Sequence, residues 1–193
     1  MIILVSGDAG AGKDTVADMF VSRFGFKNVK FAAEIKRLGC ELADMTPDDF
    51  EDRAVKEMKR PCTLYGLDLS LSPRDVAIII GQSARIGNKH HWSDTVKTLI
   101  DENELVVISD WRFPKELTRI AHNHPGRTII PISIERRLKE EEIVTNSCEG
   151  QLKDCPMSYV IENNGTFKDL EAEVDHVFEM AKNWDIAKSK GGK

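Results

Sequence analysis

The sequence predicts a three-layer αβα protein built on a parallel sheet, and three observations carry that prediction. Residues Ile2-Ile3-Leu4-Val5 are continuously apolar and rich in β-branched side chains rather than alternating, the pattern of a strand buried on both faces. The turn Gly7-Asp8-Ala9-Gly10-Ala11-Gly12 follows at once and leads into an amphipathic stretch from Lys13 to Phe24. Apolar runs then alternate with helical periodicity, the order that lays strands side by side with helices on both faces.

The first strand belongs at the centre of the sheet. In the helix after it, Val16, Met19, Phe20 and Phe24 recur at spacings of three and four and mark the buried stripe. Asn28 to Ala32 reads as a short second strand, and Ile35, Leu38 and Leu42 mark a helix packed on the sheet. From Asp44 to Ile100 no core strand is evident; charged helical stretches predict a helical insertion. Within it, Ser72 as cap and Pro73 in the first turn start a helix over Arg74 to Arg85.

Leu105 to Ile108 is the next buried strand, closed by Ser109-Asp110. Thr128 to Ile134 is a further strand, in which Pro131 cannot donate a backbone bond and so predicts an edge or a bulge. A final strand, Ser158 to Ile161, ends in the turn Asn163-Asn164-Gly165, and Thr166 caps a last helix carrying Leu170, Val174, Val177, Phe178 and Ala181. One domain over residues 1–187 is expected, followed by a fraying tail, 188–193, without an apolar residue.

Composition narrows the function. With 27 Lys plus Arg against 32 Asp plus Glu, the net charge of -5 supplies no global field for nucleic acid or a membrane surface, so an anionic ligand must be met by local cations. No apolar run reaches membrane-spanning length. The four cysteines, Cys40, Cys62, Cys148 and Cys155, show no C-x-x-C spacing, which fits reduced thiols in the cytoplasm.

The turn itself carries the chemistry. Gly-x-x-x-x-Gly-Lys needs small residues at Gly7, Ala9, Gly10, Ala11 and Gly12 because its backbone must wrap a phosphate and aim successive N–H groups at it. The helix behind adds the positive end of its dipole, and Lys13 would reach the β- and γ-phosphate oxygens of ATP. Asp14 stands where a hydroxyl residue usually follows the lysine, with Thr15 next. Asp14 is a candidate to hold a water of a Mg²⁺ shell, or else stabilises the first helical turn, and Thr15 is a candidate for the α-phosphate. Asp110, at a strand end on the same sheet edge, is either a second Mg²⁺ position or an N-cap, and Arg112 could grip a phosphate with its fork.

Taken together, Ser6 to Thr15, Phe31 to Lys36, Pro73 to Gly81, Ser109 to Glu116 and Val160 to Leu170 resemble the bacteriophage deoxynucleoside monophosphate kinases, a branch of the P-loop nucleoside monophosphate kinase group. The resemblance implies a P-loop NTPase fold with a parallel sheet, a helical monophosphate-binding insertion at about 44–100 and a lid at about 135–157. It implies transfer of the ATP γ-phosphate to a deoxynucleoside monophosphate with Mg²⁺, in the host cytoplasm for a phage protein, and it leaves room for a homodimer. Lys36, Arg74 and Arg85 then become candidates for the acceptor phosphate, and Phe31 and Trp92 either stack on a base or pack in the core. Arg136 and Arg137 fall in the lid, at least one of them against the transferring phosphoryl group, with Lys13 and Arg112 completing the catalytic cations; Asn163 and Gly165 either fall in the turn against the adenine or form a purely structural turn. Two rivals remain: a P-loop kinase for another small acceptor, such as dephospho-coenzyme A or phosphomevalonate, and a regulatory protein that binds ATP without transferring phosphate.

Overall fold

Burial on both faces decides the position of the first strand: Ile2, Ile3, Leu4 and Val5 are all fully enclosed, with strands on either side. The structure, a computed structural model, describes residues 1–52, 54–137 and 151–191. In chain order the elements are β1 (Ile2–Gly7), α1 (Lys13–Phe24), β2 (Lys27–Val29), α2 (Ala32–Ala43), α3 (Pro47–Glu51), β3 (Arg60–Leu64), β4 (Leu67–Leu71), α4 (Pro73–Gly87), α5 (His91–Thr95), α6 (Lys97–Asp101), β5 (Val106–Ile108), α7 (Pro114–Asn123), β6 (Ile129–Glu135), β7 (Tyr159–Glu162) and α8 (Phe167–Gly191). They form two compact units, one of Met1–Lys30 with Val96–Lys193, the other of Phe31–Thr95.

The first unit is the three-layer αβα fold. Its sheet runs β2-β5-β1-β6-β7 with every neighbouring pair parallel, so all the C-terminal strand ends open on one edge. Val16, Ala17, Met19 and Phe20 turn α1 inward. Phe24 stacks on Phe178 of α8 with centroids 4.0 Å apart, and Phe26 meets both Phe20 and Phe178, an aromatic clip joining α1 to α8. Thr166 Oγ1 accepts the Asp169 N–H and caps α8, which continues to Gly191, past Ala187 where the apolar pattern ends.

Pro131 lies at neither an edge nor a bulge: β6 is interior and its register with β1 is unbroken, Leu4 opposite Pro131. The Pro131 carbonyl accepts from Ser158 on the β7 side, and the N–H that proline lacks would face that same side, just before β7 pairing begins at Tyr159. No ladder bond is lost there. β2 ends at Val29, earlier than its apolar pattern suggested.

The second unit begins at Phe31 rather than near residue 44, and it is not wholly helical. β3 and β4 form an antiparallel hairpin through Tyr65 (φ 53°) and Gly66 (φ 77°), the two positive φ values of a tight two-residue turn. α2, expected on the sheet, belongs to this unit, where it packs against α3, α4 and β3. Its buried stripe is Ile35, Gly39 and Ala43; a Cβ at Gly39 would stand 2.5 Å from the Phe50 ring, so glycine admits the close approach of α3.

Candidate functional site

The turn between β1 and α1 is shaped by steric necessity. Gly7, Gly10 and Gly12 have φ of 141°, 81° and 105°, which L side chains rarely adopt. A Cβ on Gly7 would lie 2.5 Å from the Ile134 carbonyl oxygen of β6, and one on Gly12 would lie 2.5 Å from Asn163 Nδ2. The loop is thus packed from behind by β6 and by the turn after β7. Asn163 Nδ2 donates to Ala11 O at 2.8 Å, and the Asn163 N–H donates to Glu135 O, which ties the loop to the ends of both strands.

Lys13 curls back over this loop, its Nζ donating to Gly7 O at 2.8 Å and Asp8 O at 2.7 Å. Arg136 Nη1 donates to Gly10 O at 3.3 Å. Two cations therefore rest on the cradle's own carbonyls, where a phosphate's oxygens can replace those acceptors. Ala9 and Arg112 line the same cleft, of about 660 Å³, as Lys13 and Arg136. A second cleft, of about 480 Å³, adjoins Thr15, Arg136, Arg137, Asn163, Gly165 and Phe167. Phe167 is 63% exposed and offers an open aromatic face there, a feature that sequence reading passed over because its position suggested only a helix start.

Asp14 is held by a pair that the sequence did not announce. Lys30 Nζ donates to Asp14 Oδ1 at 2.8 Å, and Ser109 Oγ donates to the same oxygen at 3.2 Å. The β2–β5 register sets this up, because Val29 faces Ile108 and the next residues, Lys30 and Ser109, emerge side by side. Burial opposes ionisation of Asp14, but the Lys30 and Ser109 hydrogen bonds and the charges of Lys30 and Lys13 outweigh it, so its carboxyl lies below the usual range. Oδ2 accepts no bond among the described residues. An ionised carboxylate with one oxygen uncommitted fits an outer-shell role toward Mg²⁺, which keeps several waters. Asp110 follows Ser109 directly, half-buried, and is not the N-cap of α7: that position is Phe113, and the buried Glu116, in the first turn, accepts from the N–H groups of Arg112 and Phe113.

The candidates in the second unit are differently placed. Lys36 pairs with Glu51 at 2.5 Å, Arg74 with Glu57 at 2.6 Å, and Arg85 Nη1 donates to Gly81 O at 3.3 Å. Trp92 is 1% exposed with its indole N–H donating to Gly81 O at 2.9 Å, and Phe31 is 3% exposed. Both aromatics pack in the interior, and neither presents a face on which a base could stack. Arg137 is anchored by its backbone, whose N–H donates to Asn164 Oδ1 at 2.8 Å. Of the expected lid, residues 138–150 lie outside the described residues.

No protein-family model matches the chain, and no curated protein matches it in sequence. Solved structures do match in fold. The APS kinase of Mycobacterium tuberculosis, in complex with AMPPNP and APS, is 11% identical with a TM-score of 0.54, over 94% of this chain and 96% of that one. TT1252 from Thermus thermophilus is 18% identical at 0.53, over 93% and 97%, and a candidate kinase from Chloroflexus aurantiacus is 14% identical at 0.52, over 94% and 96%. At such identities the likeness is one of fold, and it sets this chain's three-layer αβα P-loop architecture beside that of a known kinase.

Proposed function

We propose that this chain is an ATP-dependent kinase that phosphorylates deoxynucleoside monophosphates to diphosphates. The observation that carries the phosphotransferase part is the cradle itself: a loop whose glycines leave no room for side chains, with Lys13 and Arg136 bound to its carbonyls and Arg112 in the adjoining cleft. The acceptor rests on the resemblance of the segments from Ser6 to Leu170 and on the cationic set Lys36, Arg74 and Arg85.

In this reading the loop N–H groups and Lys13 hold the β- and γ-phosphates, and Asn163 keeps the loop in shape by its bond to Ala11 O. An oxygen of the acceptor phosphate attacks the γ-phosphorus in line, the bond to the β–γ bridging oxygen breaks, and ADP leaves. Lys13, Arg112, Arg136 and Arg137 stabilise charge on the oxygens as it shifts. Asp14, through a water, and Asp110 would hold Mg²⁺, which would offset the negative charge of the phosphates. The adenine lies in the smaller cleft, against Asn163, Gly165 and Phe167. Lys36 and Arg74 exchange Glu51 and Glu57 for the acceptor phosphate, a trade between anions that changes partner but not charge.

A second reading keeps the phosphate chemistry and changes the acceptor; the fold likeness to an APS kinase holding AMPPNP and APS favours it. An ADP-release assay separates the two. Deoxynucleoside and ribonucleoside monophosphates, APS, dephospho-coenzyme A and phosphomevalonate are each offered with ATP and Mg²⁺. Acceptor-dependent ADP is expected from the deoxynucleoside monophosphates; release with APS alone moves the protein to the second reading, and release with none defeats both.

A further inference from the structure

The outer strand of the hairpin is exposed from Leu67 to Ser70, with Leu71 half-buried, and carries a pattern of its own. Leu67, Asp68, Leu69 and Ser70 are all exposed, Leu67 at 62% and Leu69 at 37%, and none of Leu67–Leu71 makes a backbone hydrogen bond outside the hairpin among the described residues. The strand has no lysine, proline or bulge of the kind that normally blunts an edge.

Its open groups can be assigned. Leu64 and Leu67 close the two-residue turn and form a hydrogen-bonded pair, so hydrogen-bonded and non-bonded pairs alternate down the ladder. Leu67, Leu69 and Leu71 therefore direct their backbone groups at β3, whereas Asp68 and Ser70 direct theirs outward. The three leucines share one face of the pleat, and Asp68 and Ser70 share the other.

We propose that the open edge of β4 pairs with β4 of a second copy of this chain, antiparallel about a two-fold axis through Leu69, giving a four-stranded sheet across a homodimer. The sequence Leu-Asp-Leu-Ser-Leu is symmetric about Leu69 in its apolar–polar order, which is what an isologous contact requires. Asp68 of each copy meets Ser70 of the other in a hydrogen-bonded pair, so the four outward N–H groups and four outward carbonyls find one another. Leu69 meets Leu69 in the close, non-bonded pair, and each Leu67 meets the second copy's Leu71.

Neighbouring registers fail for stated reasons. Centring on Asp68 sets two carboxylates face to face, which is repulsive. Centring on Ser70 pairs Asp68 with Ser72, whose N–H already donates to Asp75 Oδ2 and whose carbonyl accepts from Val76. The contact is small, so the dimer is a reversible one that dilution dissociates.

Sedimentation of the full chain over a dilution series, with two variants, tests this. Wild type is expected to move from monomer to dimer with rising concentration. Ser70→Pro removes an outward N–H without touching the β3 ladder, so it should keep the circular dichroism spectrum and halve the mass at concentrations where wild type is dimeric. In a Cys62→Ser background, which removes the thiol directly opposite position 69 in the hairpin, Leu69→Cys should give a covalent dimer through a 69–69 disulfide found by peptide mapping, because non-bonded pairs bring Cα atoms within disulfide reach; Asp68→Cys in the same background should give no 68–68 bridge. A wild type that stays monomeric, including one whose edge takes up an extended peptide instead, overturns the proposal. So does a dimer that Ser70→Pro leaves intact, and so does the absence of the 69–69 bridge even if Ser70→Pro fails to fold.

Discussion

At Gly12 the backbone has φ of 105° and the space where a Cβ would stand is taken by Asn163 Nδ2. Gly12→Ala must therefore strain the loop by about 1–3 kcal/mol or push Asn163 off Ala11 O. In either case ATP affinity should fall by about tenfold or more, read by titration calorimetry on a protein with wild-type circular dichroism. Unchanged affinity would mean that the turn does not hold the nucleotide. The glycines were legible in the sequence because their constraint is local: spacing alone says where side chains cannot be. The Lys30–Asp14 contact was not, since it exists only through the pairing of β2 with β5, and an expected strand reaching Ala32 hid Lys30 in its middle. Trp92 shows the converse case, where an aromatic legible as a stacking candidate turns out to be core, its N–H already satisfied by Gly81 O.

Among elements, α4 owes its start to a reciprocal cap: the Asp75 N–H donates to Ser72 Oγ at 3.1 Å and the Ser72 N–H donates to Asp75 Oδ2 at 3.0 Å. Ser72 is buried, so Ser72→Ala should cost about 1 kcal/mol, seen as a lower denaturation midpoint at unchanged slope. The junction of α6 and α7 makes stability depend on pH. The His124 side chain is 3% exposed, with Nδ1 3.0 Å from Asp101 Oδ1 and Nε2 without a partner among the described residues. Burial is the largest influence and lowers its pKa below 6.5 against the pull of Asp101. The unfolded chain therefore takes up its proton at higher pH than the folded one, and stability drops as pH falls through 6.5. Melting temperature should decline from about pH 7 to about pH 5.5, and His124→Asn should flatten that decline; an equal slope in both proteins would remove His124 as its source. Strands buried on both faces, β1 and β5, were legible from composition alone. The hairpin was not, because Pro61 argues against a strand and Tyr65-Gly66 lacks the Asn-Gly or Asp-Gly signature. Pro61 is tolerated because it pairs with Ser70 in a non-bonded position of the ladder.

For the molecule as a whole, a net charge of -5 coexists with local groups of cations: Lys13, Arg112 and Arg136 round the cradle of the first unit, and Lys36, Arg74 and Arg85 within the second. Alternation of strands and helices made the three-layer fold legible, and the parallel order β2-β5-β1-β6-β7 follows it. The extent of the second unit was not legible, because its boundary at Phe31 lies directly after a strand, with no linker composition to mark it. The claim that joins these parts is transfer of phosphate from ATP to a nucleoside monophosphate, and ³¹P NMR of the reaction tests it most directly. With ATP, Mg²⁺ and a deoxynucleoside monophosphate, the monophosphate and γ-phosphate signals should decline together while two sets of diphosphate signals grow, and Lys13→Ala should slow this by about 10²–10³-fold with the fold intact. Orthophosphate as the sole new signal, or full turnover in Lys13→Ala, would contradict the account.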